Sequence, residues 1–255
     1  MPSTKLHNMN AQDTIKILGI HFHNGSVEDV IFKIKTGGLL TVPAAPGLVN
    51  IKKDPIYYKA LQSSSYVIAD SGYMALIWNL MYKKKVNRIS GLKFLIAFLN
   101  DLEVQQHENI LLVDPRPAEA VANLNYLNNN GFKLDSGSSY VAPLYSKGHV
   151  EDEELLRLIE ERKPRFVIIN LAGGVQEKLG AYLNSNLSYK PGIICTGAAI
   201  AFLTGYQADI PNWADRLYLG WLCRCIEKPD LYIPRYLSSF SLLGLMLRHR
   251  ANAAA

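Results

Sequence analysis

Two short apolar runs in the last third of the chain constrain its fold more than any other feature. They cover 166–169 and 193–195, and turns of small residues follow them, Gly173-Gly174 and Thr196-Gly197-Ala198. Short, uninterrupted apolar runs that end in turns are typical of parallel strands buried on both faces. Sheets of such strands bind ligands at the carboxyl ends of the strands. The sequence therefore predicts a ligand crevice beside these two turns.

Apolar runs and helical patterns alternate along the rest of the chain. The predicted strands are 15–20, 39–43, 66–69, 109–113, 139–141, 166–171 and 193–195. The predicted helices are 27–35, 46–63, 73–82, 91–102, 117–130, 151–162 and 175–186. This alternation predicts an α/β fold with a parallel sheet layered by helices, because parallel neighbours need crossover connections. We expect an α/β body over 1–210 and a C-terminal helical appendage over 211–255.

The composition favours a globular chain in a reducing compartment. With 255 residues, 49% of them hydrophobic, the chain can bury one large core or two modest ones. No apolar run approaches the roughly 18 residues of a spanning helix, and the N-terminus lacks the apolar segment of a secretory signal. The three cysteines, at 195, 223 and 225, show no metal-ligand spacing. We therefore expect a cytoplasmic protein.

Positive charge is concentrated at the C-terminus. The chain carries a net charge of +5, and +4 of this lies between residue 216 and the end, which has six Lys and Arg residues and two acidic residues. Nucleic acid, anionic lipid or a diphosphate could each explain such a segment, and charge alone does not choose among them.

The same segment carries an apolar stripe at helical spacing, Tyr236, Phe240, Leu243 and Leu247, with arginines near its ends. A basic amphipathic helix of this kind can lie in the interface of a bilayer. The alternative is a helix that packs on the body or on another subunit, and the two interpretations are evenly balanced.

Asp70 follows a predicted strand in a tight Asp-Ser-Gly turn. At the carboxyl end of a strand its carboxylate would face the crevice and could accept a hydroxyl proton. The alternative is that Asp70 caps the following helix, as Asp at such a turn often does. The local sequence alone favours the cap.

Two further positions are candidates for phosphate or sugar binding. Backbone amides at Gly173 and Gly174 would suit a phosphate, and Gln176 could bind a sugar or uracil edge. The alternative there is a plain helix start, with Glu177 favoured by the helix dipole. Arg88, just before a predicted helix, could clamp a diphosphate with two hydrogen bonds or merely pair with a surface acid.

Several common motifs are absent from the sequence. A dinucleotide fingerprint needs Gly-x-Gly-x-x-Gly after a strand, but Asp114-Pro115-Arg116-Pro117 follows the strand at 109–113, which counts against NAD. No metalloprotease, hydrolase-elbow, Walker or Asp-x-Asp motif occurs. We predict neither a cofactor nor a metal.

Taken in order, the motifs resemble the WecG/TagA/CpsF family, glycosyltransferase family 26, over nearly the whole chain. The pieces that carry the resemblance are 17–20, Lys53-Asp54-Pro55, the Asp70 turn, Arg88-Ile89-Ser90-Gly91, Gln176-Glu177-Lys178, Gly197-Ala198-Ala199, Pro211 with Trp213, Trp221-Leu222, Arg224, Glu227-Lys228-Pro229 and Arg235-Tyr236. No single piece is specific, and their order and spacing make the match.

The resemblance implies a Rossmann-like, inverting hexosyltransferase that needs no metal and acts in bacterial surface-polysaccharide synthesis, such as capsule or teichoic acid. The donor would be a UDP-sugar, and the acceptor would be a polyprenyl-diphosphate-linked saccharide at the inner face of the plasma membrane. The chain could form a homo-oligomer, and we expect no nucleic-acid partner. By position, Asp70 would be the catalytic base. The substrate-binding residues would be Arg88, Gln176, Gly173, Gly174, Gly197, Ala198, Arg224 and Arg235.

The chain also departs from the family pattern at several polar positions. Val42-Pro43-Ala44 replaces a Thr-x-Asn, and Ala201 replaces an Asp. These apolar replacements are compatible with a different sugar nucleotide. They also support an alternative, a catalytically silent homologue that binds a nucleotide sugar or a partner enzyme.

Overall fold

In the computed structural model, the chain is described over residues 14–104, 109–146, 148–206 and 229–253 and at positions 222, 225 and 226, without the side chains at 103–104, 231–232 and 235–236. The strands are β1 (Thr14–Ile17), β2 (Ile20–His23), β3 (Gly38–Thr41), β4 (Tyr66–Val67), β5 (Ile110–Asp114), β6 (Ser139–Val141), β7 (Phe166–Ile169) and β8 (Gly192–Cys195). The helices are α1 (Val27–Ile34), α2 (Ala45–Val49), α3 (Pro55–Ser63), α4 (Gly72–Met81), α5 (Gly91–Val104), α6 (Pro117–Asn129), α7 (Glu153–Arg162), α8 (Val175–Asn186), α9 (Ala199–Leu203), α10 (Pro229–Ser239) and α11 (Ser241–His249). A 3₁₀ turn, Ser136–Ser138, precedes β6.

Six strands form one parallel sheet in the order β4-β3-β8-β7-β5-β6. The register aligns the carboxyl ends of the central strands, since Thr41 and Ile169 both pair with Cys195 and Val113 pairs with Ile169. The predicted α/β class with a parallel, Rossmann-like sheet layered by helices is confirmed.

Alternate residues of the central strands enter two different cores, as the pleat requires. Leu40 and Ile194 pack with α1, α5, α6 and α9 on one face of the sheet. Leu39 and Ile193 pack with α7 and α8 on the other face. Helices thus cover both faces, which explains why these strands are apolar throughout.

A third apolar cluster lies beside β4 and joins the two ends of the chain. It combines the β1–β2 hairpin, helices α2, α3 and α4, and two fully buried side chains of α11, Leu242 and Met246. Backbone hydrogen bonds seal this contact: the Leu18 N–H donates to Arg250 O (2.8 Å) and the Gly19 N–H donates to Ala251 O (3.2 Å). Helix α11 and the residues that follow it to Ala251 are therefore packed on the body.

Two predicted elements are wrong, because each is divided by a break that the prediction missed. The predicted strand 15–20 is an antiparallel hairpin, since Leu18 and Gly19 both have positive φ, as favoured two-residue hairpin turns require. The predicted helix 46–63 is two helices, because Pro55 fits only the first turn of a helix. Asp54 caps α3 there and accepts from the Tyr57 N–H at 3.0 Å.

The apolar stripe predicted in the C-terminal segment is divided by a break at Phe240 between α10 and α11. Leu242 and Met246 form the packing face, whereas Phe240, Leu243 and Leu247 are exposed. The side chain of Tyr236 lies outside the described residues, as does the predicted boundary at 210/211, which stays a prediction. Among the described helices, none has the length and apolar character needed to cross a bilayer.

Candidate active site at the carboxyl edge of the sheet

The strand order changes direction at the junction between β3 and β8, next to the turn after β8 where the sequence predicts a ligand crevice. These strands are neighbours, yet β3 leads outward to β4 whereas β8 is reached from β7 on its other side. Adjacent strands whose connections run in opposite directions leave a crevice outside their carboxyl ends. The segments after β3, β4, β7 and β8 meet there, and they contain most of the predicted site residues.

Asp70 stands two residues beyond the isolated bridge at Ile68, on the crevice side of β4. Its Oδ1 accepts the N–H of Gly91 at 3.0 Å, in the first turn of α5. Ser90 caps that helix by accepting the Lys93 N–H at 3.1 Å. The half-buried carboxylate of Asp70 is therefore fixed at the positive end of α5, and Oδ2 has no hydrogen bond to any described residue.

The interpretation of Asp70 as the cap of the next helix is wrong. Ser71 is the residue that caps α4, since its Oγ accepts the Met74 N–H at 3.1 Å. The sequence Asp-Ser offers two capping side chains in a row, and the backbone uses the second. This leaves the Asp70 carboxylate to α5 and to the crevice.

Arg88 lies beside Asp70. Its Nε donates to the carbonyl oxygen of Asp70 at 2.8 Å, and the neighbouring Ile89 N–H donates to Ala69 O at 3.2 Å. The half-buried guanidinium is thus anchored to the backbone of the strand end that carries the carboxylate.

Gln176 joins the loops after β7 and β8. Its Oε1 accepts the Gly197 N–H at 2.7 Å, and its Nε2 donates to Glu177 Oε1 at 3.2 Å. Glu177 Oε2 in turn accepts the Gly174 N–H at 2.6 Å. Both side chains are buried, so this chain of hydrogen bonds sets the spacing of the two glycine turns.

The sequence predicted that backbone amides of the glycine turns would be available to a phosphate, and the structure differs from this. The amides of Gly174 and Gly197 already have partners within the protein, so a phosphate would have to compete with Glu177 or Gln176 for them. Their φ angles, 92° and 62°, favour glycine. A Cβ added at Gly173 or Gly174 would meet nothing within 4 Å, so the loop surface is open there.

The carboxyl group of Glu177 titrates in an unusual range. Complete burial raises its pKa from 4.5 to about 7, against the opposing effect of the hydrogen bonds from Gly174 and Gln176. Burial also raises the pKa of the nearby Tyr57 phenol, and the charges of Glu177 and Asp54 add to this.

An ion pair that the sequence analysis missed closes this side of the site. Lys178 Nζ lies 2.6 Å from Asp54 Oδ2, which links α8 to the cap of α3. Asp54 and Lys178 stand 124 positions apart, so their motifs could be noticed separately but not paired from one sequence.

The residues that hold Asp70 lie next to the turn that Gln176 holds. A Cβ at Gly91 would lie 3.2 Å from Val42 Cγ1 and 3.8 Å from the carbonyl oxygen of Thr196. The group that holds Asp70 is thus in contact with the loop after β3 and close to the turn after β8. This geometry brings Asp70, Arg88, Gln176 and Gly197 close together at the carboxyl edge of the sheet.

Two buried polar atoms just beyond the carboxyl ends of β7 and β8 lack partners among the described residues, Asn170 Oδ1 and Thr196 Oγ1. They follow β7 and β8, and both side chains are buried. The amide nitrogen of Asn170 donates to Asp114 Oδ1 at 2.7 Å, and burial raises the pKa of that carboxyl. Both atoms are enclosed by protein, so neither presents accessible surface to the crevice. The sequence analysis assigned neither a role.

The comparison with protein families covers nearly the whole chain. The family model described as glycosyl transferase WecG/TagA/CpsF matches residues 15–255. The chain belongs to this family. The comparison with curated proteins gave no match. The recognition from sequence motifs is confirmed, and so is the coarse functional prediction of a glycosyltransferase family member.

Within this WecG/TagA/CpsF chain, the remaining predicted site residues have varied positions. Ala198 is exposed at the start of α9, while Ala201, where the family pattern has Asp, is buried inside that helix. Arg224 lies outside the described residues, and so does the side chain of Arg235. Their assignment to substrate stays a prediction.

Proposed function

We propose that this WecG/TagA/CpsF family member transfers a hexose from a UDP-sugar to a polyprenyl-diphosphate-linked saccharide, with inversion at the anomeric carbon. The observation that carries the proposal is the Asp70 carboxylate, held at the N-terminus of α5 with Arg88 bound to the same strand end. A base and a cation beside one crevice match the two needs of glycosyl transfer from a nucleotide sugar.

In the proposed reaction Asp70 accepts the proton of the acceptor hydroxyl as that oxygen attacks the anomeric carbon of the donor. The bond from that carbon to the diphosphate breaks, and UDP leaves with the electron pair. A single displacement of this kind inverts the configuration. Proton transfer to a positioned base typically contributes about 10²–10⁴ in rate. The Gly91 amide keeps the base aimed while one carboxylate oxygen accepts the proton.

Arg88 would stabilise the charge that develops on the leaving diphosphate. A guanidinium matches phosphate oxygens with two parallel hydrogen bonds, and such fixed donors are most effective where charge appears in the transition state. Its anchorage to Asp70 O limits the distance between base and leaving group, because both residues are then positioned by one strand end.

The donor nucleotide would lie along the glycine turn after β7. The open surface at Gly173 and Gly174 would allow close approach of the nucleotide.

The acceptor lipid implies a protein that works at the inner face of the plasma membrane. Arg248 and Arg250 are exposed at the end of α11, beside the exposed apolar side chains Phe240, Leu243 and Leu247. Cations near an anionic surface contribute about 1 kcal/mol each, so several can hold a protein there reversibly. We propose peripheral, cytoplasmic-side attachment through this segment.

A silent homologue remains the second candidate, favoured by one observation. The apolar side chain of Val42 lies against Gly91, whose N–H holds Asp70. The family pattern has a polar residue at the position of Val42. A protein of this kind would bind a nucleotide sugar without turning it over.

Incubation with a panel of UDP-sugars and a polyprenyl-diphosphate-linked saccharide distinguishes the two. The enzyme should release UDP and form a product of inverted configuration with at least one donor. Donor binding without UDP release, across acceptors of several saccharide types, would favour the silent homologue.

A further inference from the structure

Helix α4 exposes two large apolar side chains that have no role in the proposed active site. Leu76 is 65% exposed and Leu80 is 86% exposed, and with Tyr73 they lie on one side of the helix. The opposite side, with Met74 and Trp78 among others, is buried in the third apolar cluster. The helix is therefore apolar on both sides, although Leu76 and Leu80 on the second side stay largely exposed.

The exposed side of α4 is continuous with the exposed side of the C-terminal helices. The Tyr73 and Phe240 rings meet edge to face, with centroids 5.6 Å apart. Phe240 is itself 61% exposed and has exposed leucines around it on α10 and α11. We call the combined surface the apolar face, formed by Leu76, Leu80, Leu237, Phe240, Leu243 and Leu247.

Basic residues follow both α4 and α11. Lys83, Lys84 and Lys85 follow α4 and are exposed, and Arg248 and Arg250 are exposed at the end of α11. An exposed apolar patch with a polar rim marks an interaction site, and a cationic rim is complementary to anionic lipid. A second copy of the chain across a two-fold axis would instead oppose like charges.

We propose that the exposed side of α4, with Lys83, Lys84 and Lys85, forms with α10 and α11 one docking surface for an anionic bilayer. The inference rests on the proposed function and extends the membrane contact from the C-terminal segment into the body. Leu76 stands six residues after Asp70, and the last four of those steps lie along α4, about 6 Å of helix. Docking would therefore hold the base close to the surface from which a lipid-diphosphate acceptor projects.

The test uses flotation of the full-length chain with two kinds of vesicle, phosphatidylcholine alone and phosphatidylcholine with phosphatidylglycerol. The wild type should bind the anionic vesicles, less so as salt rises, because screening weakens exposed charges. Leu76→Ser with Leu80→Ser, and separately Lys83→Glu with Lys85→Glu, should each weaken that binding at least tenfold.

Matched controls come from exposed residues elsewhere on the body. Phe32→Ser with Val121→Ser removes comparable apolar side chains, 70% and 58% exposed, from α1 and α6. Lys133→Glu with Lys190→Glu reverses exposed charges near the amino ends of the strands, away from the crevice. Both control pairs should bind vesicles as the wild type does, and thermal melts should show all variants folded.

Three outcomes would overturn the docking surface. One is wild-type flotation by the α4 variants, and another is equal loss in the controls. The third is a change of oligomeric state by Leu76→Ser with Leu80→Ser while flotation stays unchanged, since the face would then bind a second copy.

Activity is measured in parallel with a water-soluble, short-chain acceptor and with the lipid acceptor in vesicles. The α4 variants should lose only the vesicle reaction. If no variant and no wild-type sample transfers sugar to either acceptor while flotation behaves as expected, the proposed function fails and the docking surface stands.

Discussion

The Asp70 carboxylate accepts the backbone N–H of Gly91 at 3.0 Å, which ties the end of β4 to the first turn of α5. The Gly91 Cα hydrogen points at Val42, so there is little space for a side chain between the loop after β3 and the helix that orients the base. The aim of Asp70 depends on this contact.

Gly91→Ala should lower turnover by more than tenfold with little loss of stability. The new Cβ would lie 3.2 Å from Val42 Cγ1, so either Val42 or the start of α5 must shift by a few tenths of an ångström. A shift of the helix moves the amide that holds Asp70. Adding Val42→Ala makes room, and the double variant should recover most of the turnover. Additive losses in kcat would contradict the steric account.

Gln176→Ala should destabilise the protein by about 2 kcal/mol and reduce donor affinity. It leaves the Gly197 N–H without its buried acceptor and removes one donor to Glu177, and a lost buried partner costs about 1–3 kcal/mol. Denaturant melts and donor titration measure the two effects. Asn186→Ala, which removes an exposed hydrogen bond from the same helix, is the control and should change neither. An equal effect of the two substitutions would argue against the bridge between the glycine turns.

Stability should fall as pH rises through neutrality, and Glu177 should be the main cause. Its pKa is about 7 in the folded state against an ordinary 4.5, so between these values the folded chain binds a proton that the unfolded chain releases. The free energy of unfolding should decrease by up to about 3 kcal/mol between about pH 5 and pH 8. Glu177→Gln cannot titrate and should show a flatter profile. Parallel profiles for the two proteins would assign the pH dependence to other groups.

UDP should stabilise the protein in the presence of EDTA. The sequence has no Asp-x-Asp motif, and the family resemblance implies a metal-independent transfer. Ligand at 100 times its dissociation constant should add about 2.7 kcal/mol of stability. Thermal shift measures this directly, and stabilisation that appears only with Mg²⁺ or Mn²⁺ would overturn the prediction.

The sequence predicted the sheet well because its strands carry a strong local signal. Runs such as 166–169 are apolar throughout and end in glycine turns, and all six strands of the parallel sheet were predicted with small shifts at their ends. The hairpin at Leu18 and Gly19 was missed, because its apolar residues read as one strand and only the φ angles mark the turn. Asp54-Pro55 is a recognisable helix start, but it was missed because the apolar pattern continues across it.

The site was predictable where residues follow strands and unpredictable where they meet across the chain. Asp70 and Gly197 could be placed because parallel strands bring their carboxyl ends to one edge. The pair of Asp54 with Lys178 and the contact of Gly91 with Val42 depend on tertiary packing that one sequence does not encode locally. The unpartnered oxygens of Asn170 and Thr196 become visible only once burial is known.

Asp70→Asn tests the central claim most directly, because the amide oxygen can still accept the Gly91 N–H while the nitrogen end cannot take a proton. With the UDP-sugar found by the panel and a lipid-linked acceptor, kcat should fall by about 10²–10⁴. The melting temperature and the donor dissociation constant should stay close to those of the wild type. Turnover near the wild-type value would contradict the account and remove Asp70 as the base.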